Sequence, residues 1–111
     1  MANIGSFKRG ADGILRGVIH TLAFETPARL VPVEAKAGAD GPDWRVFARR
    51  RVELGAAWQR VSQEGRPYLS VTLDDPSFRA PIHAALIPTE ADPDRYELAW
   101  SRPRRGEEDA L

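Results

Sequence analysis

Residues 52–78 read VELGAAWQRVSQEGRPYLSVTLDDPSF. Apolar side chains fall at every second place, Val52, Leu54, Ala56 and Trp58, with Glu53, Gly55, Ala57 and Gln59 between them. A period of two belongs to a strand with one covered face. A helix would carry Gly55 in its middle and set Val52 and Trp58 on different faces. Past the polar tip Gln63-Glu64-Gly65-Arg66, the alternation resumes as Leu69, Val71 and Leu73 against Ser70, Thr72 and Asp74. Gly65 suits the left-handed residue that follows a type I turn, where a Cβ would clash. Pro67 has no N–H and fits the first place of a strand. Asp74-Asp75-Pro76-Ser77 is a second turn, since Asp side chains cap nearby N–H groups and Pro presets φ. The stretch is therefore a β-hairpin, with Trp58 expected in the core beside Val52 and Leu54 and with Phe78 folding back onto it.

The same pattern extends in both directions. Asn3–Lys8 reads as a first strand anchored by Ile4 and Phe7, and Gly10-Ala11-Asp12-Gly13 as a hairpin turn. Ile14–Leu22 is a second strand, broken by Glu25-Thr26-Pro27. Ala28–Glu34 is a third, with Pro32 marking an edge or a bulge. A loop at 35–42 (AKAGADGP) precedes a fourth strand, Asp43–Ala48. Pro81–Ile87 and Arg95–Ser101 complete the set across an acidic turn at Pro88–Pro93. No segment carries a capped 3.6-residue period. Strands every eight to twelve residues, divided by turn chemistry, predict an all-β antiparallel meander of seven or eight short strands, curled into a barrel or half-barrel.

The chain has 111 residues, the size of one domain. We assign 1–101 to it and 102–111 (RPRRGEEDAL) to a disordered charged tail. Lys plus Arg and Asp plus Glu both number 16, so overall charge points to no class of partner. Only Lys8 and Lys36 are lysine; a GC-rich genome gives the same arginine bias. Without cysteine there are no disulfides, zinc thiolates or thiol nucleophiles. The N-terminus lacks the apolar run of a signal peptide, and no run approaches the ~20 apolar residues of a membrane span. The expected location is cytoplasmic.

Several blocks recur together in a family that this chain resembles. They are IGSF at 4–7, VPVE at 31–34, RVF at 45–47, ELGAAW at 53–58, EGRPYLSVTLDDPSF at 64–78, API at 80–82 and WSRPRR at 100–105. On them the chain resembles the domain of unknown function 736 family, over nearly its whole length. The resemblance implies a small bacterial protein of the alphaproteobacterial type, with a tie to mobile DNA such as plasmids and integrated conjugative elements. It implies no chemistry. Arg49-Arg50-Arg51 departs from the pattern, which leads one to expect a shorter, glycine-containing turn there.

Nothing in the sequence assembles a catalytic group. His20 and His83 are isolated on strands, where a histidine usually packs at the surface, and they lack metal-ligand spacing. Asp74 and Asp75 belong to a turn. Ser70 and Ser77 lack a nucleophile elbow, and the glycines lack the strand-loop-helix setting of a phosphate loop. The reading is non-enzymatic, with no cofactor, metal or membrane. Arginines interleaved with aromatics fit single-stranded nucleic acid, charge for phosphates and flat rings for bases. The candidates are Arg45, Arg49, Arg50, Arg51 and Arg66 for phosphates, and Trp44 and Tyr68 for stacking. The plain structural alternative is that the tryptophans fill the core and the arginines solvate edges. A competing functional class is a protein-interaction module, an adaptor or a homodimer joined through an edge strand.

Overall fold

The computed structural model describes residues 2–34 and 38–100. Its strands are β1 (Ala2–Arg9), β2 (Leu15–His20), β3 (Glu25–Pro32), β4 (Trp44–Phe47), β5 (Glu53–Val61), β6 (Pro67–Leu73), β7 (Ile82–Pro88) and β8 (Arg95–Trp100). Each pairs antiparallel with the next, and β8 returns to β1, so the sheet closes into a barrel. The all-β expectation holds, with the barrel closed rather than open. Among the described residues the only helical element is a single 3₁₀ turn at Arg49–Arg51, and no helix is long and apolar enough to cross a membrane. Closure leaves only partial sheet edges, and one of them is the first half of β3 on the side of β4. The proposed tail, 102–111, lies outside the described residues.

Strand bounds shift by a residue or two, except at β3. Glu25-Thr26-Pro27, expected to be a break, forms its first part and pairs with His20, Ile19 and Val18. Pro27 is tolerated there because β4 covers only Arg29–Pro32 on the other side, which leaves the first half of β3 without a neighbour on that flank.

Phe7, Leu15, Ile19, Leu30, Val46, Leu69, Val71, Leu73, Leu86 and Leu98 point inward and fill the barrel. Phe24 and Phe78 stack at one end, with ring centroids 5.3 Å apart, and Trp44 packs against the core at the other. Phe78 thus folds back as the sequence suggests. Two glycines let neighbouring strands coil tightly enough to close so small a barrel. A Cβ on Gly17 would lie 1.9 Å from the Ser6 carbonyl oxygen, and one on Gly55 would lie 1.9 Å from that of Thr72.

The central hairpin needs one correction. Val46 faces Gly55 and Phe47 faces Glu53, so Leu54 is an extra residue, a β-bulge. A bulge reverses which side chains face inward. Leu54 and Ala57 are therefore both buried, while Ala56 and Trp58 turn to the outer wall and Val52 is 48% exposed. Trp58 is not a core residue. It is half-buried on the outside, its indole N–H donating to the Asp40 carbonyl at 3.1 Å.

Candidate nucleic-acid interface

Alternating strands carry the turns to opposite ends of the barrel, and this divides the residues expected to bind nucleic acid. Arg49, Arg50 and Arg51 form the β4–β5 turn at the end plugged by Phe24 and Phe78. Arg66, in the β5–β6 turn, lies at the other end, as do Trp44 at the start of β4 and Tyr68 at the start of β6. Arg66 is engaged with Glu90 at 3.4 Å and Glu64 at 4.0 Å. Trp44 packs on the core and Tyr68 lies opposite Arg60 on the outer wall. Arg45 is on the outer wall between the ends, its Nε 3.1 Å from Glu53 Oε1. The expected set is therefore not one surface; Arg66, Trp44 and Tyr68 are separated from the arginine run by the length of the barrel.

The register assembles a different basic surface. Arg95 lies opposite Lys8, Lys8 opposite Arg16, Arg16 opposite Arg29, and Arg29 opposite Phe47. These five outward-facing residues on β8, β1, β2, β3 and β4 form one ladder across the wall, roughly 19 Å long at the usual strand spacing. It runs obliquely, from the start of β8 to the end of β4, and so ends beside Arg49–Arg51. There a hollow of ≈ 310 Å³ is lined by Arg16, Gly17, Pro27, Ala28, Arg29, Ala48, Arg49 and Arg50. It occupies the flank of β3 that β4 leaves uncovered. Arg29 lies over the Phe47 ring, 5.1 Å from its centroid, which holds the guanidinium in place.

Like charges directly opposite one another on adjacent strands destabilise a sheet. The ladder does this three times, and among the described residues only one member has a carboxylate partner. Arg16 donates to both oxygens of Asp12, at 3.2 and 2.7 Å. Hydrogen bonding from Arg16, helped by the Ile14 N–H, holds the Asp12 carboxyl down at about 2. The pair is therefore intact at neutral pH and is lost only as acid protonates Asp12. It lies in solvent and adds little to stability. Lys8, Arg29, Arg49, Arg50 and Arg95 have no acidic partner among the described residues.

The arginine turn carries a second cost. Three hairpins are closed by the same hydrogen bond across five residues. Gly10 N–H donates to Ile14 O at 2.9 Å, Ser62 N–H to Arg66 O at 2.9 Å, and Ala48 N–H to Val52 O at 2.7 Å. The fourth residue of the first two is Gly13 or Gly65, at φ 82° and 81°. In the third it is Arg51, at φ 61°, preceded by Arg50 at 59°. Arginine is thus held in two consecutive left-handed positions, each costing about 1–2 kcal/mol for a residue with a Cβ. Strain of this kind is a pointer to function.

The neutral total also conceals a separation of charge. Asp12, Glu34, Asp40, Asp43, Glu64, Glu90, Asp92 and Asp94 occupy the four turns at the Trp44 end. Arg49, Arg50, Arg51 and Arg79 occupy the opposite end, against Asp74 and Asp75. Asp75 is committed to its turn, accepting from the Ser77 hydroxyl and N–H, which lower its pKa. The turns thus make an acidic pole at the Trp44 end, where Arg66 is the one arginine among their described residues, and a small basic excess at the other, while the ladder starts beside the acidic turns at Arg95, Lys8 and Arg16. The field of the barrel, not its net charge, governs what approaches. The two histidines stay outside this arrangement: His20 is 3.6 Å from Glu25, and His83 is hydrogen-bonded to Thr72 at 3.3 Å.

Comparison with known proteins matches residues 3–103 to a family described as protein of unknown function (DUF736). No curated protein and no solved structure matches the chain.

Proposed function

The chain belongs to the DUF736 family, and within it we propose a non-enzymatic, cytoplasmic accessory protein that holds single-stranded nucleic acid by its phosphates. The observation that carries this reading is the ladder Arg95–Lys8–Arg16–Arg29, which sets like charges opposite one another and ends at a strained arginine turn. A surface held at such cost, with a hollow lined by four guanidinium groups, is matched to a polyanion. The oblique course suits a flexible backbone wrapped along the wall. The acidic pole repels the same ligand and confines it to one side. A tie to mobile DNA, carried by family resemblance, is compatible with this role.

Fluorescence polarisation with a labelled ten-nucleotide single strand tests the reading. Binding is expected at low salt. Four or five phosphate contacts give a slope of log affinity on log salt of about −3. Absence of binding at low salt, or affinity indifferent to salt, contradicts it.

A further inference from the structure

On the outer wall next to the ladder lies a second hollow, of ≈ 410 Å³, bordered by Trp58, Pro42 and Arg45 and floored by Gly55 and Ala56. It lies across the Phe47–Glu53 pair from the Arg29 rung. We propose that this hollow takes one nucleobase of the strand whose phosphates lie on the ladder, stacked on the indole and donating its amino group to Asp74. The inference rests on the phosphate-binding reading and adds what that reading lacks, a place for a base.

The chemistry of the two hollows is opposite. The first is lined by arginines. In the second, the one cation among the described residues, Arg45, is already paired with Glu53, and Asp74 adds a further carboxylate. A phosphate is repelled there; a flat neutral ring is not. Trp58 is held by its bond to the Asp40 carbonyl, so the aromatic wall is pre-positioned. Small residues beneath it leave room for a ring. The Asp74 N–H is committed to the Leu54 carbonyl at 2.8 Å, and its side chain accepts no hydrogen bond among the described residues. A carboxylate accepts from an exocyclic amino group. Cytosine has one, and thymine presents a carbonyl in its place.

Binding of dC10 and dT10 to the full chain, with Trp58→Leu and Asp74→Ala variants, provides the test. The wild type is expected to bind dC10 about tenfold more tightly than dT10. Asp74→Ala should erase that preference and keep dT10 affinity. Trp58→Leu should weaken both, since one base–aromatic stack is worth about 1–3 kcal/mol, a five- to 150-fold effect. Steeply salt-dependent binding that ignores base identity and both substitutions would overturn the base site and leave the phosphate reading standing. Failure of both oligonucleotides to bind at low salt would overturn both. Quenching by oligolysine, and by neither oligonucleotide, of the part of the tryptophan emission that Trp58→Leu removes would assign the hollow to a cationic peptide and overturn the proposal.

Discussion

Replacing Arg50 and Arg51 together by glycine is expected to make the protein more stable and a poorer binder. Both residues have left-handed backbones; glycine sits at the place of Arg51 in the β1–β2 and β5–β6 turns, and the place of Arg50 is taken there by Asp12 and Glu64 without a positive φ. Relieving two left-handed residues gains about 1–2 kcal/mol each; the greater freedom of glycine in the unfolded chain takes back about 0.4–1 kcal/mol each. The net gain of about 1 kcal/mol or more should raise the melting temperature by about 5 °C. Oligonucleotide affinity at low salt should fall about tenfold, with a salt slope shallower by about 1.4 if both guanidinium groups touch phosphate. Arg50→Asn/Arg51→Asn separates the two effects, because asparagine tolerates the left-handed region without carrying charge. A glycine variant that melts lower than wild type would show that the turn is not strained. One that binds as well as wild type would remove this turn from the interface.

A larger effect on stability is expected at the two closure glycines. In Gly17→Ala and Gly55→Ala the new methyl group would meet a backbone carbonyl of the neighbouring strand at 1.9 Å. No rotamer relieves such a contact, because the Cβ position is fixed by the backbone. Ser6 or Thr72 must move with its strand, and the hydrogen-bond ladder between β1 and β2, or between β5 and β6, is disturbed. Overpacking of flexible side chains costs about 1–3 kcal/mol; backbone contact should exceed that range. Urea unfolding of either variant should show a loss of about 3 kcal/mol or more. A loss under 1 kcal/mol would mean that these strands can part without consequence and that the glycines are not what permits closure.

The fold was legible because the period-two signal and the turn chemistry are local. Gly13 and Gly65 take the left-handed conformation that their turns demand, and Asp75 caps as its turn requires. The inward set Leu69, Val71 and Leu73 follows directly from alternation. Alternation fails where a residue is added without a change of composition. Leu54 reads like any other apolar strand residue, yet as a bulge it reverses the facing of everything after it in β5. That reversal carried Trp58 from the expected core to the outer wall. The only warning in the sequence was Ala56-Ala57, a pair whose members look alike on either face.

The site was less legible because it is a product of register. Lys8, Arg16, Arg29 and Arg95 are scattered along the chain, and none belongs to a basic run. They become neighbours only when four strands are aligned and the barrel closes β8 onto β1. Conversely, Arg49–Arg51 and Arg66–Tyr68 are near in sequence, but a nine-residue strand carries them to opposite ends. The arginine run, contiguous in sequence, does join the basic surface. Trp44, Tyr68 and Arg66 do not join it.

Whether the oblique basic stripe is the binding surface can be decided by backbone amide NMR of the full chain titrated with a short single strand at low salt. Shifts are expected to concentrate at Lys8, Arg16, Arg29 and Arg49–Arg51, with the indole of Trp58 responding and the acidic turns at Glu64 and Glu90–Asp94 silent. Shifts centred on Arg66, Trp44 and Tyr68, or none at saturating oligonucleotide, would contradict it.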